Sequence, residues 1–235
     1  MRLTIICMIA GALSGGCVKS APKPIDLGPD VSNQAARKAT PETSPQAQPR
    51  ESKPESIQQE STASEDLQTK TQDTEALLKT FEEGIRLLES GQTELAREHF
   101  EELRDRYPDV GVFHINLGIA YRRLELLDAA SQAYRQAITL QERDPATHYN
   151  LAIVLREQGK FREAEAAYQR AIALSPNFQD AHYNLAILYD LYLDDPAKAL
   201  VHYQFYSQSV EGENAEMQLW IASLQKRLAV SKETQ

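Results

Sequence analysis

A fixed step of 34 residues governs the second half of this chain. Small residues stand at Gly84, Gly118, Ala152 and Ala186, each 34 places after the last. Ala96, Ala130 and Ala164 keep the same step, and Ala199 follows one residue late. The aromatic positions Phe100, Tyr134, Tyr168 and Tyr203 run in parallel with them. A period of this length, with small residues at regular contact points, marks an array of helical repeats.

The best-formed unit spans residues 148–176. Its first half places Leu151, Ala152 and Leu155 on one helical face. Its second half does the same with Ala164, Tyr168 and Ala171. Between them Gly159 fits the left-handed stop of a helix, where a side chain would be strained, and Pro176 ends the second helix. One such helix pair cannot bury its apolar faces alone, so it requires neighbours on both sides.

These residues resemble the tetratricopeptide repeat family. Asn116-Leu117-Gly118 with Tyr121, and Asn150-Leu151-Ala152, match the first helix of its motif. The Ala and aromatic positions above, with Pro108 and Pro176, match the second. The usual Trp is replaced by His114, His148 and His182. The resemblance implies an all-α fold: a right-handed α-solenoid of four helix pairs, near 77–110, 111–144, 145–178 and 179–212. A capping helix near 213–229 follows, with Met217, Trp220, Ile221, Leu224 and Leu228 as its apolar stripe. The whole repeat domain is expected at 75–230. Repeat 1 is the least regular, with Glu83 where Leu117, Leu151 and Leu185 stand later.

The start of the chain reads differently. Arg2 precedes an apolar run from Leu3 to Leu13, too short to span a bilayer comfortably, and Ser14-Gly15-Gly16 lead into Cys17. Residues 1–16 resemble a bacterial lipoprotein signal peptide, which implies lipidation of Cys17. Ser14 stands where that motif usually has Leu. The other reading is an ordinary secretory signal cut near Gly16. Lipid chains on one cysteine meet the requirement for stable anchoring. Val18 after the cysteine, instead of Asp, places the resemblance with the outer membrane, facing the periplasm. Residues 17–74, rich in Pro, Ser, Thr, Gln, Glu and Lys, cannot offset their ordering entropy by burial. They are expected to form a disordered tether, as a coil roughly 40 Å end to end.

The formal charge of −9 argues against nucleic acid as a partner, which needs a basic face. Cys7 and Cys17 are the only cysteines, so no zinc cluster or disulfide frames the repeats. His114, His148 and His182 sit at the repeat step, about 10 Å apart in stacked helices, too far to share one metal ion. They are read as packing residues. No phosphate-binding Gly-rich loop, H-E-x-x-H or G-x-S-x-G occurs. The expectation is a non-enzyme with no cofactor, no metal and no small-molecule substrate.

In the resembled family the first helix of each pair lines a concave groove. The corresponding residues are Ile115, Asn116, Ile119 and Arg122; Tyr149, Asn150, Ile153 and Arg156; and Tyr183, Asn184 and Ile187. Ile85, Ile119, Ile153 and Ile187 would form an exposed apolar ladder, with Arg122, Arg123 and Arg156 as a basic spot beside it. The Asn side chains could hold a peptide backbone and the Arg side chains a carboxylate. The resemblance implies a protein partner, peptide or helix, held by a membrane-anchored scaffold or adaptor in the cell envelope. Assembly of pili or secretion pores, an adaptor role for a periplasmic protease or cell-wall hydrolase, and a TonB-type complex are the alternatives it brings.

Overall fold

The computed structural model describes residues 59–141, 143–210 and 215–233, with side chains from Thr74 to Val230 within them. The signal segment, Cys17 and the tether up to residue 58 lie outside the described residues. Among the described residues every regular element is a helix. They are α1 (Gln59–Glu89), α2 (Thr93–Arg106), α3 (Gly111–Arg123), α4 (Leu127–Leu140) and α5 (Pro145–Glu157). Then come α6 (Phe161–Leu174), α7 (Gln179–Leu191), α8 (Pro196–Ser209) and α9 (Ala215–Glu233).

The helices pack in sequence order, forming the right-handed α-solenoid. The pairs α1–α2, α3–α4, α5–α6 and α7–α8 are the four repeats. Consecutive pairs join through α2–α3, α4–α5 and α6–α7, and α9 closes the array on α8. In the first two pairs the small residue of the first helix meets the aromatic ring of the second. A Cβ on Gly118 would stand 2.7 Å from the Tyr134 ring, and one on Gly84 2.6 Å from Phe100. Such approach is open only to glycine unless the ring moves. Phe100, Tyr134, Tyr168 and Tyr203 are all fully buried, so they form the spine between the helix pairs.

The helix pairs turn through one residue in the left-handed region. It is Gly91 (φ 76°) in repeat 1 and Gly159 (φ 74°) in repeat 3. Repeat 2 uses Glu125 (φ 60°) and repeat 4 Asp194 (φ 49°). In repeats 1 to 3 the next amide reaches back five residues, as Lys160 N–H to Leu155 O at 2.8 Å and Leu126 N–H to Tyr121 O at 2.9 Å. These bonds satisfy carbonyls that the helix end would leave open. Two helix starts, one of a first helix and one of a second, are fixed by caps. Asp144 accepts from the amides of Ala146 and Thr147 ahead of Pro145, and Asp195 from Lys198 ahead of Pro196.

Two boundaries differ from the sequence reading. The helices were expected to begin near Thr74, yet α1 begins at Gln59. The physical reason is local. After Pro54 no proline or glycine occurs until Gly84, and Gln, Glu and Lys propagate a helix well. At the other end α9 runs to Glu233, past the expected 229. Its buried residues are Met217, Ile221 and Leu224, while Trp220 is half-buried with its ring 6.3 Å from Tyr203. α9 thus packs on α8 as the first helix of a further pair would.

Candidate functional site

The face carried by α3, α5 and α7 brings together the residues expected to line the groove, but in a different state from that expected. The Ile ladder is not an exposed strip. Ile153 and Ile187 are 1% and 0% accessible, and Ile119 and Ile85 are also buried. Ile115, Tyr149 and Tyr183 are buried with them. The cause is the closeness of successive pairs. Tyr149 packs on Phe178 of the next repeat at 4.9 Å, and within repeat 4 Tyr183 packs on Tyr206 at 4.8 Å, so rings fill the space beside the isoleucines. The ladder is core between repeats.

The Asn residues are likewise inward. Asn116, buried, donates to Val112 O one turn back at 2.8 Å. Asn184, also buried, donates to Asp180 O and to the Tyr149 hydroxyl at 2.9 Å. Asn116 and Asn184 therefore bond within the fold, where the sequence reading had them free to hold a peptide backbone. Asn150 alone of the three remains half-buried.

What this face does present is a row of charge crossing the repeat junctions. Arg122 closes on Glu157 of the next repeat, Nη2 to Oε1 at 2.7 Å and Nε to Oε2 at 3.1 Å. Arg123 donates to the Leu88 carbonyl of the preceding repeat. Asp190 receives Arg227 of α9 at 2.6 Å. Arg156 is the exception. Its Nε is buried and makes no hydrogen bond, while its guanidinium lies against the Tyr168 hydroxyl. Beneath the row lie the hydroxyls of Tyr134, Tyr168 and Tyr203. Burial lifts the ionisation of all three well above the ordinary phenol range, Tyr168 to about 12. At Tyr168 the nearby Arg156 guanidinium works against that rise. The basic spot of the sequence is real, but Arg122 and Arg123 are engaged internally.

The histidines hold repeats together. His114 Nε2 donates to Pro108 O at 2.8 Å, and His182 Nε2 to Pro176 O at 3.1 Å. Each bond ties a first helix to the end of the preceding repeat. Among the described residues no group of three His, Cys, Asp or Glu side chains could hold a metal ion. In repeat 4, His182 also meets His202, Nδ1 to Nδ1 at 2.9 Å. Since a carbonyl can only accept, His182 Nε2 carries the proton and its Nδ1 accepts from His202.

Glu157, Leu191, Tyr168 and Arg227 complete this row, and the sequence reading assigned none of them to the site. Laying the repeats on one another would have shown the first two. Glu157 follows Arg156 as Leu191 follows Asp190 and Arg123 follows Arg122.

Among solved structures, MamA protein matches at 21% identity with a TM-score of 0.60, over 68% of this chain and 86% of that one. A structure entitled functional characterization of Pseudomonas aeruginosa pilF matches at 22% and 0.58, over 66% and 70%. A Thermobaculum terrenum O-GlcNAc transferase mutant matches at 20% and 0.53, but over only 26% of that chain. At these identities the likeness is one of fold. No curated protein matches the sequence. Tetratricopeptide repeat profiles match residues 81–146, 145–178 and 167–201, together just over half of the chain. Helix pairs at a 34-residue step, small residues seated on aromatic rings and these profile matches agree: the chain belongs to the tetratricopeptide repeat family.

Proposed function

We propose that the protein is a non-enzymatic, membrane-anchored scaffold that binds a protein partner on the face of α3, α5 and α7. One observation carries this reading. A row of charged side chains crosses consecutive repeats on one face, over a core that is already closed, and part of its hydrogen-bonding capacity is unused. A rigid face of this kind suits a peptide or helix laid across several repeats. The apolar ladder has no part in the contact, because it is buried.

Anchoring through lipid on Cys17, in the outer membrane and facing the periplasm, belongs to the same proposal. It is supported by the signal-like residues 1–16 and the apolar-poor stretch after them. Among the described residues no helix is long and apolar enough to cross a membrane. Cys17→Ser should release the protein from the membrane fraction or leave its precursor uncut, and unchanged fractionation would remove the anchor from the proposal.

The binding face is tested by photo-crosslinking in intact cells from residue 150, with residue 201 on the exposed side of α8 as control. A defined protein captured from 150 and not from 201 supports the reading. Equal capture from both positions, or none from 150, refutes it.

A further inference from the structure

Repeat 4 departs from repeats 2 and 3 at one contact between its two helices. Repeats 2 and 3 place buried alanines, Ala133 and Ala167, just before the aromatic residue of the second helix. Repeat 4 places His202 there, just before Tyr203. Its ring meets that of His182 on α7, and the two Nδ1 atoms stand 2.9 Å apart. Two aromatic rings close over the pair. Phe205 stacks on His182 at 3.8 Å, and Tyr189 on His202 at 5.8 Å.

Such a contact admits few protons. The neutral pair holds two, one on His182 Nε2, accepted by Pro176 O, and one on His202 Nδ1, accepted by His182 Nδ1. A further proton on His182 must enter at Nδ1, which sets N–H against N–H. On His202 it must enter at Nε2, which leaves a half-buried imidazolium against the Tyr189 ring. The surroundings supply no counter-charge. Lys198, one turn back on α8, is itself a cation and stands 4.9 Å over the Tyr189 ring. Glu165 of α6 is taken by the Tyr189 hydroxyl, Arg162 and Lys198. Burial raises the Asp180 carboxyl on α7, so that group resists charging. Glu216 of α9 acts on Tyr183 and not on the pair. Burial lowers the ionisation of both histidines, and no carboxylate offsets it at either ring.

We infer that His182 and His202 form a proton-operated latch, which holds α8 against α7 while both rings are neutral and lets it part when they charge. In water each ring takes a proton freely, so acid favours the parted state. α9 goes with α8, because Met217, Ile221 and Leu224 dock it there. Parting draws Tyr206 from Tyr183 and Arg227 from Asp190, and so reshapes the α7 end of the charged row. The latch belongs to the fold and does not depend on the partner-binding reading.

Hydrogen exchange of the full-length protein, corrected for the intrinsic rate of each amide, tests the latch. Between about pH 7.5 and about pH 5 the opening constants of α8 and α9 should rise roughly tenfold or more, while those of α3 to α6 stay within about twofold. His202→Ala, which restores the residue of the sister repeats, should abolish the rise. His202→Phe keeps a ring against Tyr189 but takes no proton, and it should abolish the rise as well. The phenylalanine variant decides the case should the alanine one fail to fold. His114→Gln, in a repeat without the pair, should leave the rise in place. A rise of equal size in every helix, no rise in α8, a rise that persists in His202→Phe, or one that is lost in His114→Gln would overturn the inference.

Discussion

Repeats 2 and 3 reach one geometry with their glycines exchanged. Repeat 2 places glycine inside the helix, at Gly118 against Tyr134, and turns through Glu125 at φ 60°. Repeat 3 places Ala152 in the helix and turns through Gly159 at φ 74°. Glycine costs a helix roughly 1 kcal/mol relative to alanine, and a side chain in the left-handed region is strained by a similar amount. Repeat 3 avoids both penalties and repeat 2 carries both. The comparison shows that fidelity to a motif and local fitness are different properties. Repeat 2 has the family's Leu-Gly pair, and it is repeat 3 whose residues suit their own backbone.

The strongest way to break this comparison is to fill the close approach. Gly118→Leu should cost about 3 kcal/mol or more, since the side chain must displace the buried Tyr134 ring. Ala152→Gly, which turns repeat 3 toward repeat 2, should cost only about 1 kcal/mol through helix propensity. Chemical denaturation followed by circular dichroism measures both. Equal losses would mean that the Tyr134 contact does not distinguish the repeats.

Acid should separate repeat 4 from both. Where repeats 2 and 3 have Ala133 and Ala167, repeat 4 has His202, which faces His182. Burial, and then the neighbouring His182, lower the ionisation of His202 to about 4. Burial lowers that of His182 as well. An unfolded histidine titrates near ~6.5, so the unfolded chain binds more protons below that value. Stability is therefore full above pH 6.5 and falls as pH drops toward 4. The loss is on the order of 2 kcal/mol after allowance for partial exposure. His202→Ala should flatten this window, and hydrogen exchange should show α7 and α8 loosening before α3 to α6. An unaltered pH profile in His202→Ala would sink this account.

The turn residues give a smaller effect in two directions. Glu125→Gly should stabilise by roughly 0.5–1 kcal/mol, and Gly159→Ala should destabilise by at least as much. A shift of the same sign in both would contradict the strain assigned to Glu125. The smallest effect concerns the unbonded hydroxyl of Tyr203. Tyr203→Phe should leave stability unchanged or raise it by about 0.5 kcal/mol, because a buried donor without an acceptor is removed. A clear loss would indicate a structural bond there.

The helix pairs were legible in the sequence because their determinants are local and periodic. Gly159, Pro176 and the small–aromatic pairs each act within one unit, and repetition multiplied the signal. The face was less legible. Position on a helix tells which way Ile153 points, but not how near the next helix stands, and nearness turned the ladder into core. Arg122 read as a free cation because its partner, Glu157, lies one repeat ahead, where a charge on a helix end carries no mark of the contact. The start of α1 was obscured by composition. Residues 59–73 are polar and have no apolar period to announce a helix, yet no proline or glycine among them breaks one.

The seating of α9 bears on how long such a protein can become. Met217, Ile221 and Leu224 dock on α8 as a first helix docks on the pair before it, and Arg227 secures Asp190. The outward residues of α9 include Leu219, Gln225 and Lys226. Duplication inside the array has a template ready, since each internal junction already packs a first helix on the repeat before it. An extra copy of repeat 3 inserted before Gln179 would carry a second Glu157, and that glutamate would fall beside the original Arg156. Growth of the array would move the last copy of Arg156 one unit along and keep it next to the end, so its distance from the cap is conserved whatever the repeat number.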